Sequence, residues 1–198
     1  MKVAIITDQH FGARNDSIAF LDFFQKFYDN TFFPTLVDNN IDTVLILGDT
    51  FDRRKYVNFY ALQRAKEMFF DRLANAGITV HMLAGNHDTY YKNTNDVNSL
   101  DLLLSKYKGV IQTYKDPTVV SIRSPENKEY GFVMMPWICS DNYQQAMTIV
   151  RSTTAPIMFA HLELSGFNMY KGHLNEHGMD PNIFAKFDHV YSGHFHHR

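Results

Sequence analysis

The residues of this sequence suited to chemistry fall in short polar clusters, and each cluster follows an apolar run. Asp8 and His10 close the run at residues 2–7 (KVAIIT), and Gly48-Asp49 closes TVLIL at 43–47. Gly85-Asn86-His87-Asp88 follows ITVHML at 78–83, and His161 follows PIMFA at 156–160. Gly193-His194-Phe195-His196 follows HVYS at 189–192. Pooled, Asp8, His10, Asp49, Asn86, His161, His194 and His196 offer carboxylate oxygens, an amide oxygen and imidazole nitrogens, with no thiolate. That mixed set suits Mn²⁺, Fe²⁺, Zn²⁺ or Ni²⁺ and excludes a thiolate zinc site. Seven ligands exceed what one small ion takes. They match two ions bridged by one carboxylate, the arrangement that clamps an in-line phosphoryl displacement. Each cluster alone also reads as a turn: Asp-x-His arises by chance, and Gly-Asp after a strand is ordinarily a bend. Their joint occurrence, each at a strand end, argues against that reading.

The apolar runs are near-continuous, as in sheets covered on both faces. Further strands are expected over 130–135 and 117–122. Helical periodicity runs over 17–28, with Asn15 or Asp16 as N-cap and Pro34 blocking continuation toward Asn39. It runs again over 57–76, ending at Gly77, and over 97–107 and 141–151. The order β-α-β-α-β-α, then strands, a helix and two more strands, predicts an α/β fold with a partly parallel sheet. Ligands in such folds gather at the carboxyl ends of strands, where these clusters sit. Residues 171–181 (KGHLNEHGMDP) read as a mobile loop.

Composition bounds the function classes. The 198 residues form one domain, and the 45% hydrophobic and 20% charged shares are globular rather than disordered. The net charge of −2 is unlike that of a generic electrostatic nucleic-acid binder, so contact with DNA must be local or shared. The single cysteine, Cys139, excludes an internal disulfide and fits a reducing compartment. No run approaches a membrane span, so a cytoplasmic protein is expected.

The clusters Asp8-x-His10, Gly48-Asp49, Gly85-Asn86-His87-Asp88, His161 and Gly193-His194-x-His196 resemble the signature of the calcineurin-like metallophosphoesterases, over nearly the whole chain. The resemblance implies a four-layer αββα sandwich with mixed sheets. It implies one metal held by Asp8, His10, Asp49 and His196, a second held by Asp49, Asn86, His161 and His194, and Asp49 bridging. His87 would serve the leaving oxygen. Within the superfamily, residues 2–12, 48–52, 85–88, 161–167 and 193–198 look most like nucleases of the SbcD type, a group that includes phage recombination nucleases. That implies a two-metal, Mn²⁺-dependent DNA nuclease of recombination and repair, working with an SbcC-type ATPase, cytoplasmic or in a host's cytoplasm, with a homodimer left open. The alternatives are a phosphomonoesterase or cyclic-nucleotide phosphodiesterase of the same fold, or a scaffold that has lost the chemistry.

Two departures stand out. Some nuclease relatives carry a histidine where this chain has Asp52; serine/threonine phosphatases place Asp and Arg here, as Asp52-Arg53 do. An Asp52 carboxylate bonded to His87 Nδ1 is therefore expected, making Asp52 a catalytic partner. Arg53 and Arg54 are expected to hold substrate phosphates. The sequence also stops two residues after His196, so the capping and partner-binding regions are expected to be lacking. Among the remaining histidines, His81 reads as hydrogen-bonded core, His173 and His177 as surface, His189 as structural, and His197 as turned away from the site. Trp137 and Cys139 read as packing residues.

Overall fold

The structure, a computed structural model, describes residues 2–124, 127–170 and 172–196. The first half builds one parallel sheet. Its strands are β1 (Ala4–Ile6), β2 (Thr43–Ile46), β3 (Thr79–Leu83) and β4 (Ile111–Tyr114), hydrogen-bonded in that order. The second half builds a mixed sheet in the order β10-β7-β6-β5. Here β10 (His189–Gly193), β7 (Ile157–His161) and β6 (Glu129–Met135) are parallel, and β5 (Thr118–Arg123) is antiparallel to β6. A small hairpin of β8 (Asn168–Tyr170) and β9 (His173–Leu174) stands apart from both.

Alternation along the strands sets the layers. On β2, Val44 and Ile46 pack with Phe69, Phe70, Leu73 and Tyr28 from the helices, while Leu45 faces Phe132, Met134 and Phe159 of the other sheet. On β6 and β7, Val133, Met135, Met158 and Ala160 face α6 (Tyr143–Ser152) and Phe184. The order is helices, sheet, sheet, helix: four layers with three apolar seams. Both faces of β2 are buried, which is why the run TVLIL carries no polar alternation.

The helices differ from the sequence expectation in their interiors. Pro34 does not end the first one. Helix α1 (Ile18–Phe27) widens into a five-residue π-type turn, Tyr28–Phe32, and continues as α2 (Phe33–Asp38) with Pro34 in its first turn. There the missing N–H costs nothing. The same widening, Lys66–Phe70, splits the expected 57–76 helix into α3 (Phe59–Ala65) and α4 (Asp71–Asn75). The two wide turns bring Tyr28 and Phe69 together, ring centroids 4.8 Å apart. The 97–107 helix shrinks to α5 (Ser99–Leu103) and a 3₁₀ turn, Ser105–Tyr107. Asn15 and Asp16 cap nothing; Ser17 occupies the cap position. Part of the loop expected at 171–181 is the second strand of the β8–β9 hairpin. His197 lies outside the described residues.

Candidate metal centre

The loops that follow the strands are laced together by backbone hydrogen bonds that continue the parallel pairing. Asp8 N donates to Gly48 O, His10 N to Asp49 O and Phe11 N to Thr50 O, at 2.8–3.1 Å. At the strand ends the backbone reverses sharply. Asp8 (φ 51°), His10 (φ 46°), Asp49 (φ 49°) and His194 (φ 94°) all adopt left-handed conformations. Each costs about 1–2 kcal/mol for an L-residue, and such strain concentrates at functional sites. Asp and His tolerate that region better than most residues, so the residue types that carry the chemistry also suit the turns. Gly85 has no such freedom to spare: a Cβ there would lie 2.3 Å from both the Asp49 nitrogen and its carboxylate.

These turns gather the expected ligands into two groups, Asp8 with His10 and His196, and Asp49 with His161 and His194. One atom joins them. Asp49 Oδ2 lies 3.7 Å from His10 Nε2 and 3.4 Å from His161 Nε2. Asp8 Oδ1 lies 3.4 Å from His196 Nε2 and 3.9 Å from His10 Nε2. Asn86 Oδ1 sits 3.0 Å from His161 Nε2 and 3.1 Å from His194 Nδ1. Donor atoms bound about 2.1 Å from one ion are spaced roughly 3.0–3.4 Å apart, so most of these separations suit shared cations.

The hydrogen bonds around the site make the same point. His161 Nδ1 donates to the Leu47 carbonyl at 2.7 Å, because a carbonyl only accepts. Unless it is protonated, His161 then turns a lone pair on Nε2 toward the Asn86 amide oxygen, which is also an acceptor. His10 and His196 face each other Nε2 to Nε2 at 3.2 Å. Such confrontations need a cation or a proton between them. The donor set fits divalent ions, and a bond from the far ring nitrogen to a carbonyl, as His161 makes to Leu47, fixes the tautomer and orientation of a ligating imidazole. Asp8 is held likewise, by Thr7 Oγ1 at 2.6 Å and the His194 backbone N–H at 3.0 Å.

The electrostatics follow from burial and from Asp49. Burial lowers the pKa of His10 and His194, keeping both imidazoles neutral and available as ligands. Burial would lower His161 too, but its contact with the Asp49 carboxylate outweighs that and raises it. Burial would raise Asp49; the His161 hydrogen bond and charge and the His87 backbone N–H, at 2.8 Å, hold it well below the usual carboxylate range. Beneath them, burial and the Asp49 charge push Asp88 up to about 7. Its oxygens accept from the backbone N–H groups of Gly85, Thr50 and Phe51, tying the Gly85–Asp88 turn to the Asp49 turn.

The chain belongs to the calcineurin-like phosphoesterase family. The family's model matches residues 1–198. The chain is also 35% identical over 158 residues to exonuclease subunit 1 of Enterobacteria phage T4. That match takes in 80% of this chain but 44% of the relative, so the chain spans under half its relative's length. Phosphoesterases of this family use divalent metals, and the two ligand groups meet that requirement.

The residues expected to act beside the metals are arranged differently. His87 lines the cleft, its ring centroid 4.9 Å from that of His10. Its Nδ1 donates to the Asp52 backbone carbonyl at 2.5 Å, not to the Asp52 carboxylate. The carboxylate instead lies 3.5 Å from His10 Nδ1. The turn after Asp49 brings the peptide, rather than the side chain, under the imidazole. Arg53 and Arg54 do not line the metal cleft. Arg53 pairs with Asp16 at 2.8 Å and Asn15 at 2.9 Å, and Arg54 bonds Thr89 at 3.2 Å. The basic residue that does line the cleft, Arg14, was not singled out from the sequence. Trp137 packs beside the site, its ring 5.5 Å from that of His194 and 6.2 Å from that of His161. His81 is buried, with Tyr114 Oη 2.7 Å from its Nδ1, as a core histidine should be.

Proposed function

We propose that this chain is the catalytic unit of a metal-dependent DNA nuclease, hydrolysing phosphodiesters at the Asp49-bridged centre. The observation that carries this reading is Asp49 Oδ2, one oxygen within reach of donors in both groups. Asp8, His10, Asp49 and His196 would hold one divalent ion, and Asp49, Asn86, His161 and His194 the other. Bound there, two such ions would supply a nucleophile near neutral pH and offset the charge of the non-bridging phosphate oxygens. The protein's own contributions are orientation and a proton. The Asp52 carbonyl fixes the Nδ1–H tautomer of His87 and so dedicates Nε2 to the cleft. Protonated, Nε2 delivers a proton to the departing sugar oxygen. The His161 and Asp8 hydrogen bonds hold their donor atoms in place through the reaction.

The nuclease substrate is supported by the exonuclease relative and by the cleft's shape and chemistry. The cleft has a volume of about 670 Å³ and lies over the candidate ligands Asp8, His10, Asp49, His194 and His196. Its wall beyond the ligands carries Phe20, Phe24, Met169 and Phe195 beside the polar Gln9, Arg14 and Asp52. Arg53, which the phosphatase-like Asp-x-x-Asp-Arg pattern would offer to a phosphomonoester, is committed to Asp16. The relative's being a subunit supports work within an assembly; an SbcC-type ATPase and DNA are the partners proposed, and Mn²⁺ the metal. The test is digestion of end-labelled single- and double-stranded DNA with Mn²⁺, beside a cyclic nucleotide and a phosphopeptide. Cleavage of DNA is expected. Turnover of the cyclic nucleotide or the phosphopeptide without cleavage of DNA would overturn the proposal.

A further inference from the structure

We propose that Arg14 is the cleft's flanking-phosphate residue, the side chain that binds the phosphate next to the scissile one. The inference rests on the nuclease reading of the centre. It begins with the backbone. Past His10, the chain runs through Gly12 (φ 97°), Arg14 (φ 52°), Asn15 (φ 60°) and Asp16 (φ 59°), a left-handed turn rather than a helix. Three non-glycine residues in that region are costly, at about 1–2 kcal/mol each. Something must hold them there, and Arg53 does, through its bonds to Asn15 and Asp16. A further bond joins Asp16 N to Gly12 O at 2.9 Å.

The product of this strain is the position of Arg14. Its guanidinium sits 4.9 Å above the Phe20 ring, and both residues line the metal cleft. Among the described residues Arg14 makes no ion pair, whereas Arg53, Arg64 and Arg72 each hold an aspartate. Stacked on an aromatic face, a guanidinium is pre-oriented and keeps its N–H fork free in the ring plane. Such a fork suits phosphate oxygens. The ions that the ligands would hold would take the scissile phosphate, so the phosphate available to Arg14 is its neighbour in a chain. The centre would thus select substrates with more than one phosphate.

The test uses thymidylyl-thymidine bare, with a 5′-phosphate and with a 3′-phosphate, each assayed with Mn²⁺. One phosphorylated form should show a KM about tenfold lower than the bare dinucleotide, the scale of a hydrogen bond to a charged group. Arg14→Gln should abolish that preference, acting on KM rather than kcat. Arg14→Gly, which suits the positive φ and relieves strain, should abolish it equally, separating the side chain from the fold. Arg123→Gln, an exposed arginine of β5, should leave the preference as it is. Wild-type protein that cleaves all three alike, or an Arg14→Gln variant that keeps the preference, would overturn the proposal and leave the nuclease reading standing. Protein that cleaves bis(p-nitrophenyl) phosphate but neither the dinucleotides nor DNA would overturn the nuclease reading, and this proposal with it.

Discussion

Replacing Asp52 by Asn separates two ways of supporting His87. The sequence pattern suggests a carboxylate at Nδ1; the structure has the residue's own carbonyl there, at 2.5 Å. Asn keeps that carbonyl and removes only the carboxylate charge, 3.5 Å from His10 Nδ1. Burial lowers the His10 pKa, so its ring is neutral and has little Coulomb energy to lose. We expect kcat to fall by no more than about threefold, roughly 0.6 kcal/mol. His87→Gln removes the proton donor itself and should cost about 10²–10⁴-fold, the range of general acid catalysis. The assay is kcat with saturating Mn²⁺ on thymidylyl-thymidine, whose leaving sugar oxygen needs a proton, and on bis(p-nitrophenyl) phosphate, whose aryl oxide leaves unaided. The His87→Gln defect should shrink on the aryl diester. An Asp52→Asn defect as large as that of His87→Gln, with metal occupancy intact, would refute the carbonyl assignment.

Gly85→Ala places a Cβ 2.3 Å from the Asp49 nitrogen and carboxylate. It should abolish activity and cost at least the ~1–3 kcal/mol typical of overpacking, while Gly131→Ala, which meets open space, should be near neutral; urea unfolding measures both. Trp137, the single tryptophan, should lose fluorescence on Mn²⁺ titration, and Asp49→Asn should remove that response. His81 gives a pH dependence. Burial lowers its folded pKa below the ordinary histidine value of about 6.5, so the unfolded chain binds the proton first as pH falls. Its contribution to stability is therefore lost below about pH 6.5, toward the lower folded value. In EDTA, His81→Phe should lose less stability than wild type between about pH 7.5 and pH 5, measured by denaturant unfolding.

The candidate metal ligands were legible because each is a polar residue that ends an apolar strand, a pattern that survives in one dimension. The four layers were not visible from those strands alone, since TVLIL reads the same whether its outer face meets helices or a second sheet. The π-type turns left no signal that periodicity could register, and they allowed Pro34 to sit inside a helical stretch. Asp52 shows a different gap. Its position in the motif is informative, but spacing cannot say whether a side chain or a peptide carbonyl meets the imidazole. Arg53 and Arg54 attracted attention as a basic run beside Asp49, yet their partners, Asp16, Asn15 and Thr89, lie over thirty residues away in sequence. The clue to Arg14 was the composition Gly-Ala-Arg-Asn-Asp directly after His10-Phe11, rich in residues that tolerate left-handed backbone.

The central claim is a pair of ions joined by Asp49, and anomalous scattering from crystals grown with Mn²⁺ tests it most directly. The account predicts two peaks about 3.5–4 Å apart, both within bonding distance of the Asp49 carboxylate, with Asn86 at one and His10 at the other. A single peak, or two peaks that Asp49 does not bridge, would contradict it.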